Sequence, residues 1–283
     1  MTQEMEENIS SEYNSQFFSD VTYYCIPPNN CKYKLFILLS FNNQKFKTTL
    51  CNISMICNEN IETFITLFDY LKNRYKFNHK YITTDFSKAE ILAYKSIFSE
   101  TIIIPCFYHY CQNITRKLKN LKSKNKKLKN MTKDLFANLK ILIFTNRDSI
   151  STFYNEIKYK YKAKFPDFFK YFDKFYFKNK PFSELDWNYG SINRADSKII
   201  FYSNNICESC NRTLNSKFIG SSKTMYHFKL VLSELISLYN NKGVYQEKKL
   251  STSRAIEYYI KRNDIINLIN QKDFEIIKKE YKE

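Results

Sequence analysis

Along residues 17–26, FFSDVTYYCI, β-branched and aromatic side chains run almost unbroken until Pro27-Pro28. That is the pattern of a buried strand, with Asp20 set inside it. KLFILLSF (34–41) and KFKTTLCNISMI (45–56) read as two more strands, joined across the polar turn Asn42-Asn43-Gln44 as a hairpin. The period then changes from two to 3.6. After Asn60, a natural N-cap, Ile61, Phe64, Ile65, Phe68 and Leu71 recur at helical spacing through IETFITLFDYLKNRY. A short strand, KYITTD, ends on Asp85 and gives way to a helix, KAEILAYKSIF. The apolar run ETIIIPCFYHY predicts one more strand, followed by a helix from Cys111 to about Leu121.

Three strands, then helix, strand, helix, strand, helix is the connectivity of a ribonuclease-H-like fold. The expected class is therefore α/β, a mixed five-stranded sheet with flanking helices and a helical insertion before the last catalytic helix. In that arrangement the first and fourth strands are neighbours, so Asp20 and Asp85 project toward one point. Residues 1–16 read as a flexible lead-in and 17–121 as the first part of the core. Residues 122–196 read as a basic, aromatic, helical insertion, with Trp187 in ELDWNYG near its end. The core is completed over 197–240, where Asn204-Asn205 cap the helix ICESCNRTLNSKF and Gly220 ends it. Helices over 222–240 and 252–281 follow, the latter within a C-terminal tail, 241–283.

Composition narrows the function classes. With 283 residues the chain can bury a substantial core, and no apolar run approaches the ~20 residues of a membrane span. The N-terminus, MTQEMEENIS, is acidic and polar, unlike a secretory signal or a transit peptide. Glycine occurs only at 190, 220 and 243, which removes the glycine loops of P-loop ATPases, kinases and dinucleotide-binding enzymes. The eight cysteines read as reduced thiols. A net charge of +17 points to a polyanionic partner, most simply nucleic acid. The excess of Lys over Arg, with abundant Asn, Ile, Tyr and Phe, is also what AT-rich coding produces, so the charge is supporting evidence only.

The charge is concentrated in RKLKNLKSKNKKLKNMTK (116–133), nine basic residues and no acidic one. Lysine runs are commonly just solvated. As a functional surface, Arg116, Lys117, Lys122, Lys124, Lys126 and Lys127 would contact phosphates, and KSKNKKLK would serve as a nuclear localisation signal in a eukaryotic cell. Over 158–180, eight Lys alternate with ten aromatic residues. Most of those rings are expected in a core, with some of the lysines facing DNA.

Three carboxylates carried by two strands and a helix can hold two Mg²⁺ ions about 3.5–4 Å apart, the arrangement that drives in-line phosphodiester chemistry. Glu208, in the first turn of its helix, is the candidate third acid. Each acid has an ordinary alternative. Asp20 would be a solvent-facing strand residue, Asp85 an N-cap worth about 1 kcal/mol, and Glu208 a partner for the helix dipole.

DVTYYCIP (20–27), TDF (84–86), CFYH (106–109) and NNICESCNRTLN (204–215) together resemble, in order and spacing, the catalytic blocks of Mutator-like (MULE-type) DDE transposases. The resemblance runs over about residues 17–240. It implies a catalytic, metal-binding triad of Asp20, Asp85 and Glu208 using Mg²⁺ or Mn²⁺, and it makes Cys106 and His109 the family's Cys-x-x-His element, structural or accessory. It implies DNA, both transposon ends and target, as the partner, with DNA strand cleavage and transfer as the activity. It leaves room for a homo-oligomer and gives no role at a membrane. A Cys₃His zinc set of Cys106, His109, Cys207 and Cys210 is a minority alternative. Only 19 residues precede Asp20, where family members carry a zinc-finger-type domain. A domesticated, non-catalytic DNA-binding protein is therefore the second functional expectation.

Overall fold

The computed structural model describes residues 3–11, 14–23, 33–42, 47–119, 126–145, 148–177, 187–189, 202–218 and 224–240. The hairpin turn at Asn43-Gln44, the Gly220 helix stop and the tail helix over 252–281 lie outside them. The chain divides into two compact units, Met1–Tyr108 with Lys198–Lys248, and His109–Ser197 with Lys249–Glu283.

The first unit starts with helix α1 (Gln3–Ser10), where a flexible lead-in was expected. Met5 and Ile9, one turn apart, are both buried, and the Asn8 side chain donates to the Leu50 carbonyl. Burying these two side chains beside an edge strand orders the segment and covers that edge. Strands β1 (Asn14–Thr22), β2 (Lys34–Asn42) and β3 (Lys47–Ile56) form an antiparallel meander. Helix α2 (Ile61–Tyr75) follows, its N-cap Asn60 accepting from the Thr63 N–H at 2.9 Å. Strand β4 (Tyr81–Thr84), helix α3 (Lys88–Ile97) and strand β5 (Ile102–Pro105) complete a five-stranded sheet of order β3-β2-β1-β4-β5, in which β4 runs parallel to both β1 and β5. This is the mixed ribonuclease-H-like sheet the connectivity predicts.

The last strand is shorter than expected. Pro105 ends it, and helix α4 (Phe107–Lys119) starts four residues ahead of Cys111. Tyr110, Ile114 and Leu118, spaced four apart, are buried, so the apolar run is half strand and half amphipathic helix. Cys106 therefore closes a strand, while His109 lies in a first helical turn.

Both faces of the sheet are covered, and period-two alternation sorts the residues. Leu35, Ile37, Leu39 and Phe18 pack in one layer with Ile206, Cys207, Cys210 and Leu214 of α8 (Asn205–Ser216) and with Phe228, Val231 and Leu235 of α9 (Met225–Asn240). Phe36, Leu38, Phe17 and Ile82 pack in the other layer with Phe64, Phe68 and Leu71 of α2 and Ala93 and Tyr94 of α3. The two sides of β1 thus look at different helices.

The second unit is helical and aromatic. It holds the body of α4, α5 (Lys126–Leu142), α6 (Ile150–Tyr161) and α7 (Pro166–Phe172), the last running into a π-helical turn, Asp173–Phe177. Trp187 is fully buried; its indole donates to the Tyr176 carbonyl at 2.8 Å and stacks on Tyr110 at 5.8 Å. The Asn188 side chain donates to the Leu142, Ile143 and Thr145 carbonyls, stopping the end of α5. Most rings of the 158–177 stretch are interior; Tyr159 and Phe175 are exposed. Among the described residues no helix is long and apolar enough to cross a membrane.

Candidate active site

Strand register brings the two aspartates together. In the parallel pair β1–β4, Phe17 lies opposite Ile82 and Phe18 opposite Thr83. Carried two residues further, the same offset sets Asp20 opposite Asp85, at the carboxyl ends of adjacent strands. Alternation then fixes their side. Phe18 belongs to the layer under α8, so Asp20, two residues on, faces α8 as well. Both aspartates act electrostatically on the same two neighbours, the Cys207 thiol and the Tyr23 hydroxyl. Burial pushes Cys207 far up first and Asp20 next, with Asp85 adding to it. Tyr23 is raised by burial, by its hydrogen bond to the Glu59 carboxylate and then by both aspartates.

Asp85 does not cap the helix that follows it. The cap is Ser87, whose hydroxyl accepts from the Glu90 N–H. The capping role that would have been the ordinary reading of Asp85 thus falls to Ser87.

Helix α8 is moored to β1 by two asparagines. Asn204 stands at the N-cap position but makes no side-chain cap bond. Its amide instead donates to the Ser19 carbonyl at 2.8 Å, and its backbone N–H donates to Cys106 Sγ at 3.2 Å. Asn211 Nδ2 donates to Asp20 Oδ2 at 2.6 Å, while the Val21 N–H donates to Oδ1 at 2.9 Å. Glu208 lies four residues after Asn204 and three before Asn211, on the helix face those two asparagines turn toward β1.

Cys106 continues the parallel ladder, its N–H donating to the Thr84 carbonyl at 2.9 Å. Asp85, Cys106 and His109, the last one turn into α4, offer ligand atoms all within 4.8 Å of one another. Among the described residues this is the set of three metal-ligating side chains at that spacing; Asp20 and Glu208 do not belong to it. Cys207 and Cys210 do not join it either. They are fully buried in the apolar layer under α8, so the Cys₃His zinc set does not assemble. Asp20, Asp85 and Glu208 therefore do not gather as a group of three at that spacing among the described residues.

Behind the aspartates, on the opposite face of the sheet, lies an acid that sequence reasoning missed. Glu90 of α3 is 2% exposed and accepts from the Ser19 hydroxyl. Burial pushes its carboxyl from 4.5 to about 7; the Ser19 and Thr84 hydroxyls offset part of that, and the Asp85 charge adds to it. Ser19 directly precedes Asp20, so Glu90 supports that strand end from beneath. Asn211 was also missed; its one signal was the i, i+3 spacing from Glu208.

Of the expected phosphate contacts, Arg116 and Lys117 are exposed on α4, with the Lys117 ammonium 4.6 Å from the centre of the Tyr171 ring. Lys122 and Lys124 lie outside the described residues, as do the side chains of Lys126 and Lys127 at the start of α5. His79 is buried among rings, and His227 sits in the first turn of α9.

No curated protein matches the chain at a significant level. Residues 18–113 match the family model of the MULE transposase domain. That span opens inside β1 and ends inside α4, so it takes in Asp20, Asp85, Cys106 and His109 and stops short of Glu208. Over that span the chain is similar to the MULE transposase domain, and the strands there belong to a ribonuclease-H-like sheet.

Proposed function

We propose that this protein is the catalytic core of a DNA transposase, in which Asp20, Asp85 and Glu208 act together on a phosphodiester of DNA to cleave a strand and transfer it. The observation that carries this reading is the hydrogen bond from Asn211 to Asp20. It ties the helix bearing Glu208 to the strand bearing Asp20, which supports a meeting of the three acids. Divalent cations such as Mg²⁺ or Mn²⁺, held by the three acids, would supply the Lewis acidity that an already anionic phosphate requires. The chain's own part is to hold three negative charges in one corner of the sheet, fix their orientation, and bring DNA to them through its basic surface. The mixed oxygen, sulfur and nitrogen set of Asp85, Cys106 and His109 would accept a borderline ion such as zinc with three protein ligands.

The test is strand cleavage of supercoiled plasmid with Mg²⁺ or Mn²⁺. Asp85→Asn should lower the rate about 100-fold or more while leaving DNA affinity unchanged. Wild-type protein that binds DNA and never cleaves it, with either metal, would instead establish the domesticated, non-catalytic DNA-binding protein.

A further inference from the structure

We infer that Asn211 is the positioning residue for Asp20, setting the orientation of its carboxylate for a divalent cation. This rests on the reading of Asp20 as a metal-holding acid. The polar face of α8 consists of Asn204, Glu208, Asn211 and Asn215, at spacings of four, three and four residues, beside the buried stripe of Ile206, Cys207, Cys210 and Leu214. Of this polar stripe, Asn211 reaches Asp20, at 2.6 Å, and Asn204 reaches the backbone one residue earlier.

Asp20 accepts from two neutral donors, the Val21 N–H on Oδ1 and the Asn211 amide on Oδ2. An ionised carboxylate accepts at about four lone-pair sites, so a donor on one oxygen can orient the group without occupying every site. A lysine or arginine at position 211 would hold it equally well and would also neutralise it, competing with the cation. An amide orients without neutralising. The other end of each asparagine points the same way chemically. The carboxamide oxygens of Asn204, Asn211 and Asn215 are buried and have no hydrogen-bond partner among the described residues. A row of unmatched acceptors on the helix face beside an acid is an environment suited to a cation and its waters.

The experiment is a thermal-shift titration of the full chain with Mn²⁺ alone, comparing wild type, Asn211→Ala, Asn211→Ser, Asn211→Asp and Asp20→Asn. Asn211→Ala, and more mildly Asn211→Ser, should fold and require about 10–100-fold more Mn²⁺ for half the stabilisation. Asn211→Asp should lower the metal-free Tm, because a second carboxylate then faces Asp20, and Mn²⁺ should restore more stability to it than to wild type. A purely structural asparagine would lower the metal-free Tm of every variant without moving the Mn²⁺ midpoint, and that result overturns the proposal. Should Asn211→Ala not fold, Asn211→Ser decides by the same criterion. Wild-type protein that gains no stability from Mn²⁺ overturns the metal-site reading itself and this role with it. A normal wild-type titration with unmoved variants overturns the positioning role alone.

Discussion

His79 sits 8% exposed in a box of rings, stacked on Phe77 at 4.2 Å and edge-on to Phe98 at 4.8 Å, with no partner for either ring nitrogen among the described residues. Burial lowers its pKa from 6.5 to about 3. The unfolded chain takes up a proton that the fold refuses, so stability contributed by neutral His79 is present above pH 6.5 and drains away as pH falls toward 3. Glu90 works in the opposite direction. Its pKa is raised from 4.5 to about 7, so its contribution is present below pH 4.5 and is lost as pH rises through 7. Denaturant midpoints measured across pH should show both slopes. His79→Phe should flatten the acid limb, and Glu90→Gln should flatten the decline between pH 4.5 and 7 while an amide oxygen still accepts from Ser19. If either limb survives its substitution, another group is responsible for it. Neither effect was legible in sequence, because a lone His in a loop and a Glu in a first helical turn look like solvated residues until their neighbours are known.

Helix α3 shows how an element can start beside an acid without using it. Because Ser87 is the cap, Ser87→Ala should cost about 1 kcal/mol of stability. Asp85→Asn should cost less than Ser87→Ala in the absence of metal, since the cap bond is made by Ser87; a loss equal to that of Ser87→Ala would return Asp85 to an ordinary capping role. Most elements of the first unit were legible from periodicity, including the strand order and the α2 cap, because local alternation and capping chemistry determine them. The junction of β5 and α4 was not. IIIPCFYHY is apolar at every period, and only the packing of Tyr110, Ile114 and Leu118 shows where the strand stops. The role of Asn204 was misread for a similar reason. Asparagine before a helix is a natural cap, but a carbonyl 185 residues away in sequence takes its amide.

Across the whole molecule, one unit carries a spectroscopic signature and the chain as a whole an electrostatic one. The chain has one tryptophan, Trp187, fully buried in the aromatic core of the helical unit. Its emission should be blue-shifted in the native state and should report the unfolding of that unit, and Trp187→Ala should destabilise it by about 3–5 kcal/mol. A red-shifted native spectrum would contradict the packing described. With a net charge of +17, DNA affinity should fall steeply and log-linearly with salt, and Asp85→Asn should keep the same slope. A weak salt dependence would remove phosphate contact as the source of affinity.

By itself the sequence determined the alternation of elements, the parallel placement of the strands that bear Asp20 and Asp85, and the basic, aromatic character of the insertion. These follow from local periodicity and from the few ways a right-handed crossover can return to a sheet. Tertiary structure alone decided that α8 is fastened to β1 by Asn204 and Asn211, that Cys207 and Cys210 are core rather than ligands, and that Glu90 is buried beneath the strand end bearing Asp20. Each of these depends on which face of one element meets another across more than 60 residues of chain. Side-chain chemistry read along a single strand or helix holds no record of that.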